Sequence, residues 1–405
     1  MALRAAVGQS FVTDGREAGA QAAQQALVQL GRARVAFAWV LVSYAYPIQQ
    51  VLAGIGDMLG DIPLIGFSTS AEITAAGRSK RSVVVALLGG ENVQGRAGWW
   101  PDFTPNNPAC VQNMLKALQP DGESGEILLA AADGISGDAT QLSEALAAAG
   151  YSMAGCLAGG EISQGRSYQA GGRQAGSGGL ATMVLGGNIV AGVGLAHGWQ
   201  QVGALSRITS AQGLWVRTID EQPPSHLYAR LFGYPADEWV RPPLNGLVRL
   251  YPLAVQEKEG MVVRSALKVE ADGSLRMNCH IPQGAAVDLM VGSRAACLQA
   301  ARQAAQQALA SLGPTRPIMA VLLVDAAWLT LLEAQLEDEV SMVREVIGKD
   351  VPVVGAYTLG QLARLAPHGP VQIFNQHIEV LLFGDRLVNL PGNVTNAITG
   401  NPPIV

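Results

Sequence analysis

The sequence predicts an α/β fold made of two mixed-sheet domains with three βαβ-type repeat units, and an antiparallel strand section in the C-terminal half. The main observation is a segment that occurs three times, in which a short apolar run reaches a glycine and a small-residue turn follows. A β-rich run and a helical stretch precede each copy, which is the order of a parallel strand–helix–strand crossover. The strands are nearly continuous apolar runs, as expected for a sheet covered on both faces.

The three copies follow one plan along the chain. Their glycines are Gly66, Gly155 and Gly355. The β-rich runs before them are predicted at 35–43, 127–133 and 318–325. The crossover helices are predicted at 47–59, 138–149 and 328–347. A closing strand is predicted after each turn, at 82–90, 180–187 and 378–385.

Other segments lie outside this plan. Helices with an apolar face are predicted at about 16–30, 109–118 and 298–312, and the alanines of the last one suggest close packing on a sheet. The antiparallel strands are predicted at 250–255, 262–269 and 274–279. Asp272-Gly273 predicts a hairpin turn between the last two strands. The glycine-rich run 165–179 has no Lys-Ser/Thr ending, so it predicts a flexible loop or lid over the second turn rather than a phosphate-binding loop.

Domain limits are predicted from a polar, proline-broken stretch at 220–224. The sequence therefore predicts one domain over 1–218 and a second over 219–390. Residues 391–405 are predicted to be a turn-rich tail.

The composition disfavours several classes of protein. A chain of 405 residues with 49% hydrophobic and 15% charged residues predicts buried globular domains rather than disorder. The net charge of −5 argues against nucleic-acid binding, and no apolar run is long enough to span a bilayer. The four cysteines have no CxxC spacing, which predicts neither a disulfide framework nor a metal site. We expect a cytoplasmic protein.

The three turns form the first candidate ligand site, because ligands in open α/β sheets bind outside the carboxyl ends of the strands. Glycine lets the backbone approach a ligand, and hydroxyl groups add contacts. The candidate turn residues are Gly66, Ser68, Thr69, Gly155, Gly355, Tyr357 and Thr358. The structural alternative is that glycine occupies a positive-φ corner while serine and threonine cap the following segment.

Carboxylates occupy matched positions around these turns. Asp133 and Asp325 end two β-rich runs, and they are predicted to hold an ammonium group or a turn backbone, with helix N-capping as the alternative. Glu72 and Glu161 follow two of the turns and are predicted to bind a cationic ligand group, with a solvated or turn-bound carboxylate as the alternative. A hydrolase that uses the strand-end carboxylates is a further alternative.

Two other side chains are candidates. Arg264 lies in an apolar run, so it is expected to be paired, with either a ligand carboxylate or a protein carboxylate. The five histidines form no HxxxH or HExxH pair, which does not support a zinc hydrolase. His197, beside Trp199, is the histidine best placed to be an axial haem ligand, with an ordinary hydrogen-bonded histidine as the alternative.

The order of these motifs over about 30–390 resembles the FIST family. The segments that carry the resemblance are 66–73, 132–134, 154–161, 196–199, 208–211, 251–253, 263–265, 271–275, 281–284, 355–362 and 374–376. Gln361 stands where the family commonly has glutamate. The cysteine and arginine that commonly follow the third β-rich run are missing after Asp325.

The resemblance implies FIST N and FIST C parts of a bacterial intracellular sensory module that senses small ligands, with amino acids proposed. Some relatives resemble haem-based nitric oxide sensors that act on a separately encoded kinase. We therefore expect a sensor without enzymatic activity, signalling through a separate partner such as a histidine kinase or a cyclic-dinucleotide enzyme. A haem-binding nitric oxide sensor is the alternative within the same family.

Overall fold

The structure, a computed structural model, describes residues 3–101, 103, 108–118, 126–147, 151–162, 165–257, 260–332, 338–364 and 369–389. Within these ranges the α-helices are α1 (Gly15–Leu30), α2 (Ile48–Leu59), α3 (Pro108–Ala117), α4 (Ala139–Ala147), α5 (Pro224–Phe232), α6 (Leu244–Leu247), α7 (Arg294–Leu312), α8 (Ala326–Leu331) and α9 (Glu339–Ile347). The strands of the first half are β1 (Arg4–Ser10), β2 (Val35–Ser43), β3 (Leu64–Thr69), β4 (Ala71–Thr74), β5 (Gly77–Ser79), β6 (Val83–Gly89), β7 (Val93–Trp100), β8 (Ile127–Asp133), β9 (Ser152–Ala158), β10 (Gly160–Glu161), β11 (Arg166–Gly171), β12 (Gln174–Ser177), β13 (Leu180–Gly187) and β14 (Ile189–His197). Those of the second half are β15 (Trp199–Gln212), β16 (Trp215–Ile219), β17 (Leu253–Glu257), β18 (Gly260–Arg264), β19 (Ala266–Val269), β20 (Leu275–Met277), β21 (Ala286–Gly292), β22 (Thr315–Asp325), β23 (Val353–Thr358), β24 (Gln361–Ala363), β25 (Gln372–Phe374) and β26 (His377–Asn389).

Three of the sheets share one strand plan. The first sheet has the order β1-β6-β2-β3-β11-β10 with β12 beside β11, the second β7-β13-β8-β9-β24-β25, and the third β14-β26-β22-β23-β4-β5. In each sheet the pair before the glycine turn is parallel: β2 with β3, β8 with β9, and β22 with β23. The prediction of an α/β fold with three βαβ units is therefore confirmed.

Each glycine turn carries the chain from one sheet into another. β4 follows β3 of the first sheet directly but pairs with β23 of the third. β24 follows β23 and pairs with β9 of the second sheet. After β9, β11 pairs with β3 of the first sheet. The exchange closes a cycle, so the three units form a triangular arrangement with pseudo-three-fold symmetry.

The main apolar core lies between the three sheets. It contains inward-facing side chains from all of them, such as Trp39, Phe67, Cys156, Met183, Leu323 and Phe383. Helices cover the outer faces: α1 and α2 lie over the first sheet, α3 and α4 over the second, and α7 and α9 over the third. The sheets are thus covered on both faces, as the continuous apolar strands predict.

The repeated glycines are needed where parallel strands and the helical layer pack. A Cβ atom on Gly155 would lie 2.3 Å from the carbonyl oxygen of Ala130, and one on Gly355 would lie 2.3 Å from that of Leu322. Gly66 occupies the equivalent site against Val40. All three lie within strands, and in each case the turn segment begins two residues later, at residues 68, 157 and 357.

The fourth sheet is antiparallel and curled. Its order is β18-β17-β21-β15-β16-β20-β19, and its own apolar core contains Tyr228 and Trp239. β19 and β20 form the predicted hairpin, in which Gly273 has φ +80°. Because β15 follows β14 after a single residue and α7 follows β21, this sheet is inserted into the third unit.

Several predictions differ from the structure. The predicted helix over 328–347 is replaced by α8 and α9, which are separated by residues outside the described ranges. The glycine-rich run 165–179 is mostly strand, as β11 and β12, so the prediction of a flexible loop is wrong. Two of its glycines serve packing, because Cβ atoms on Gly176 and Gly179 would each lie 2.4 Å from the Trp99 ring.

The division into domains stays a prediction. The predicted boundary between residues 218 and 219 lies inside β16, and the first three sheets together use strands from both sides of it. The predicted tail, 391–405, lies outside the described residues. Among the helices described, none has the length and apolar character needed to cross a bilayer.

Candidate functional site

The three turns meet at one place, which we call the turn junction (residues 68–72, 157–161 and 357–361). Ser70 N–H donates to the Tyr357 carbonyl oxygen at 3.1 Å, and Leu359 N–H donates to the Leu157 carbonyl oxygen at 2.8 Å. The Ser68 hydroxyl donates to the Gly159 carbonyl oxygen at 2.6 Å. The sequence-predicted turns are therefore brought together, with their groups bonded largely to one another.

The first turn holds a buried carboxyl group. Glu72 is fully buried and accepts hydrogen bonds from the Thr69 hydroxyl, from the Ser82 hydroxyl at 2.7 Å and from Ser82 N–H at 3.1 Å. Burial raises the pKa of the Glu72 carboxyl, and these hydrogen bonds oppose the rise. The described contacts of Glu72 thus connect the first turn to the segment before β6.

The strand-end carboxylates accept hydrogen bonds from the protein itself. Asp133 accepts from Ile135 N–H at 3.0 Å and from the Ser167 hydroxyl at 2.6 Å. Asp325 is the N-cap of α8 through Ala327 N–H at 3.0 Å and accepts from Gln376 N–H at 2.8 Å. They end strands of different sheets, and this arrangement does not support a shared hydrolytic pair. Burial raises the pKa of Asp325 to about 6.

The third turn is also buried. The Tyr357 hydroxyl donates to the carboxylate of Glu339, and burial raises the pKa of this hydroxyl well above its usual value. The Thr358 hydroxyl donates to the Val324 carbonyl oxygen at 3.4 Å. With its amide oriented so that both the nitrogen and the oxygen form hydrogen bonds, Gln361 donates to the Phe374 carbonyl oxygen at 3.1 Å. An ionised glutamate could not make this last bond.

Two further predicted residues have different outcomes. Arg264 is nearly buried, donates to the Ile373 carbonyl oxygen at 2.9 Å and forms an ion pair with Glu257 at 2.8 Å. This is the geometry of the protein–carboxylate alternative. The side chain of Glu161 lies outside the part of the chain that the structure describes.

His197 lines an open cleft of about 450 Å³, which we call the His197 cleft. Its lining consists of His197, Trp199, Gln200, Gln201, Ala254, Met261, Val262, Val263 and Met290. These residues come from the end of β14, from β15 and from β17, β18 and β21 of the curled sheet. Most of its lining residues are apolar, but polar groups, including an imidazole and two amides, form about half of the exposed wall.

A second histidine lies behind this cleft. His197 and His377 are register partners on β14 and β26, and their ring centroids are 4.7 Å apart. Burial lowers the pKa of His197, and burial together with His197 lowers that of His377 to about 3. Both rings are therefore neutral at neutral pH.

The ring nitrogens of His197 test the haem alternative. Iron binds an unprotonated imidazole nitrogen, usually Nε2, while Nδ1–H donates to a neighbouring acceptor. Here Nδ1 accepts a hydrogen bond from Trp199 N–H at 3.2 Å, which places the proton of the neutral ring on Nε2. The arrangement around His197 does not fit an axial haem ligand, and we derive no haem chemistry from it.

The cleft connects to the turn junction through the residue before His377. Gln376 N–H donates to Asp325, and its side-chain amide donates to the Arg249 carbonyl oxygen at 2.6 Å and to the Ser265 hydroxyl at 2.9 Å. Asp325 N–H in turn donates to the Gln361 side-chain oxygen at 3.2 Å. A shift of the curled sheet at the cleft would therefore act on hydrogen bonds of the third turn.

Sequence reasoning missed Glu379 on β26. This carboxyl is fully buried, faces the core between the three sheets, and makes no hydrogen bond of normal geometry to the described residues, although the backbone N–H of Gly155 lies near enough to stabilise its charge in part. Burial raises its pKa well above the usual value, and burial together with Glu379 raises that of the Cys156 thiol. The available signal was a charged residue inside an apolar strand, as for Arg264.

Comparison with known families matches two consecutive parts of the chain. The FIST N domain matches residues 36–222 and the FIST C domain matches residues 225–364. FIST domains are sensory domains of signal-transduction proteins. No curated protein matches the sequence.

One solved structure is similar to part of this chain. A crystal structure of cyanuric acid hydrolase from A. caulinodans is similar at 16% identity over 46% of this chain and 71% of that chain, with a TM-score of 0.26. A TM-score this low supports no conclusion about the fold or the activity of this chain. The FIST N and FIST C matches, in contrast, lie end to end and cover most of the sequence, as the motifs predict. The chain belongs to the FIST family.

Proposed function

We propose that this FIST protein binds a small molecule in the His197 cleft and reports occupancy to a separately encoded partner. The observation that carries the proposal is the position of the cleft. His197 and Trp199 come from the FIST N match, whereas Val263 and Met290 come from the FIST C match. A ligand in this cleft would contact the FIST N and FIST C parts at the same time. Its binding would therefore depend on how the two parts pack against each other.

The lining supports a ligand about the size of an amino acid or a close derivative. A volume of about 450 Å³ lies in the usual range for small-molecule sites. Trp199, Met290 and Val263 offer apolar contact, while Gln200 and Gln201 offer amide donors and acceptors. Because the lining has no charged side chain among the described residues, an uncharged amide derivative fits it better than a free zwitterion.

Signalling would follow from differential affinity. A ligand that binds more tightly to one packing of the curled sheet on the third sheet shifts the population towards that packing. The route inferred from the contacts runs from His197 to His377, then through Gln376 to Asp325. We propose that the partner, a histidine kinase or a cyclic-dinucleotide enzyme, reads this shift by protein contact.

The test is a thermal-shift screen with the twenty amino acids and their N-acetyl amides, followed by calorimetric titration of every compound that raises Tm. Met261→Trp fills the cleft from its rim, where Met261 is 45% exposed, and should weaken binding at least tenfold. Leu205→Trp is the matched control, because Leu205 is 67% exposed and lies outside the cleft. Equal affinity in both variants would place the ligand elsewhere, and a screen without binding would refute this ligand class.

A further inference from the structure

A second cleft lies at the carboxyl edge of the first sheet. Its volume is about 430 Å³, and its lining residues are Phe11, Thr13, Ala45, Tyr46, Lys80 and Arg81. Phe11 and Thr13 follow β1, Ala45 and Tyr46 follow β2, and Lys80 and Arg81 precede β6. The antiparallel pairing of β6 with both other strands brings these three segments to the same edge. Open α/β sheets bind ligands at this edge.

The charge that this cleft offers a ligand comes from Arg81. Lys80 also lines the cleft but has a further interaction within the protein, so the guanidinium of Arg81 is the group that a ligand would meet. The helix α2 begins at Ile48, two residues after Tyr46, and its N-cap residue Pro47 makes no side-chain capping bond. The partial positive charge of that helix end adds to the charge of Arg81. The net charge of the whole protein is −5, so the positive charge here is local.

The backbone at Arg81 is held in an unusual conformation. Arg81 has φ +59°, a region that residues other than glycine rarely occupy. The Tyr46 hydroxyl donates to the Arg81 carbonyl oxygen at 2.9 Å, and the next residue, Ser82, is bonded to buried Glu72. A non-glycine residue kept in this region by its neighbours points to a functional constraint. The effect is to fix the guanidinium-bearing segment at the rim of the cleft.

The cleft also has an apolar contact surface. Phe11 is 61% exposed although it is a large aromatic residue, and Tyr46 adds a second ring to the lining. An exposed aromatic ring beside a guanidinium favours a ligand with a planar or apolar body and an anionic end.

We propose that this cleft is a second binding site, which takes a small organic anion, a carboxylate or a phosphate monoester, with its charge at Arg81 and its body against Phe11. The site is separate from the His197 cleft, and its test does not depend on that proposal. Through Ser82 it contacts Glu72 of the turn junction, so both sites adjoin the same buried network.

Calorimetric titration of the full chain with benzoate, phenyl phosphate and uncharged benzamide tests this site. We expect saturable binding of at least one anion and at least tenfold weaker binding of benzamide. Arg81→Gly should weaken anion binding at least tenfold and leave Tm unchanged or higher, because glycine adopts φ +59° without strain. Arg32→Gly is the control, since this exposed residue lies before β2, at the opposite end of that strand.

The outcomes separate clearly. Preference for benzoate assigns a carboxylate ligand, and preference for phenyl phosphate assigns a phosphate monoester. The proposal is overturned if neither anion binds, if benzamide binds as tightly as the anions, or if Arg81→Gly and Arg32→Gly have the same affinity. Comparing the Tm of Arg81→Gly with that of the wild type distinguishes a loss of binding from a loss of folding.

Discussion

Replacing Glu379 by leucine should stabilise the protein relative to the wild type, by an amount that grows as the pH rises. Glu379 is fully buried, and burial raises the pKa of its carboxyl well above the ordinary value of 4.5, although the backbone N–H of Gly155 opposes the rise. The folded state therefore keeps a proton that the unfolded state releases. The wild type therefore loses stability as the pH rises from about 4.5 towards the raised pKa of Glu379 in the folded state.

The size of this effect follows from proton linkage. One proton of difference between the folded and unfolded states changes the free energy of unfolding by about 1.4 kcal/mol per pH unit. The Glu379→Leu variant has no such proton, so its advantage over the wild type should widen at about this slope above pH 4.5. A misfit of the leucine side chain would shift the curve equally at every pH. The slope is therefore the diagnostic quantity.

The assay is guanidinium unfolding at half-unit steps from pH 4.5 to pH 8, followed by circular dichroism. Other buried carboxyls, such as Glu72 and Asp325, contribute equally to both proteins and cancel in the difference. Glu144→Leu is the control, because Glu144 is exposed on α4 and its removal should leave the slope unchanged. Parallel curves for the wild type and Glu379→Leu would refute the description of Glu379 as a buried carboxyl with a raised pKa.

Two further predictions concern the repeat units. Gly155→Ala should destabilise the protein by about 1–3 kcal/mol because the new Cβ would lie 2.3 Å from the Ala130 carbonyl oxygen. The control Gly56→Ala on α2, which has open space at its Cβ, should stabilise the protein by roughly 0.5–1 kcal/mol. If denaturant unfolding gave the two variants the same stability, the packing role of Gly155 would be contradicted. Asp325→Ala removes the acceptor of two backbone N–H groups and should cost about 1–3 kcal/mol in the same assay, whereas an unchanged midpoint would mean that these bonds contribute little.

The three βαβ units could be predicted from the sequence because each consists of long, contiguous elements. Asp133 and Asp325 lie at the strand ends, where the apolar runs place them. The exchange of β4, β11 and β24 between sheets could not be predicted. These strands have three to six residues, and β4 pairs with β23, which lies about 280 residues away in the chain. Such pairing is set by tertiary packing rather than by local preference.

The sequence singles out one residue of the His197 cleft, but for another role. His197, beside Trp199, is expected to be an axial haem ligand, whereas in the structure it lines a cleft and its Nδ1 accepts a hydrogen bond from Trp199 N–H. The rest of that lining depends on how the curled sheet packs beside β14, which no local pattern specifies. Gly66 and its counterparts were predicted to approach a ligand, yet their described neighbours are strand backbone and side chains. A glycine needed for close strand packing and one needed for ligand approach have the same sequence signal.

The most direct measurement is calorimetric titration of His197→Phe and His226→Phe with the compound that the screen identifies. Phenylalanine keeps a ring against His377 but removes both nitrogens from the cleft, and exposed His226 on α5 provides the matched substitution elsewhere. The account predicts at least tenfold weaker binding for His197→Phe and wild-type affinity for His226→Phe. Wild-type affinity in His197→Phe would contradict the placement of the ligand in the His197 cleft.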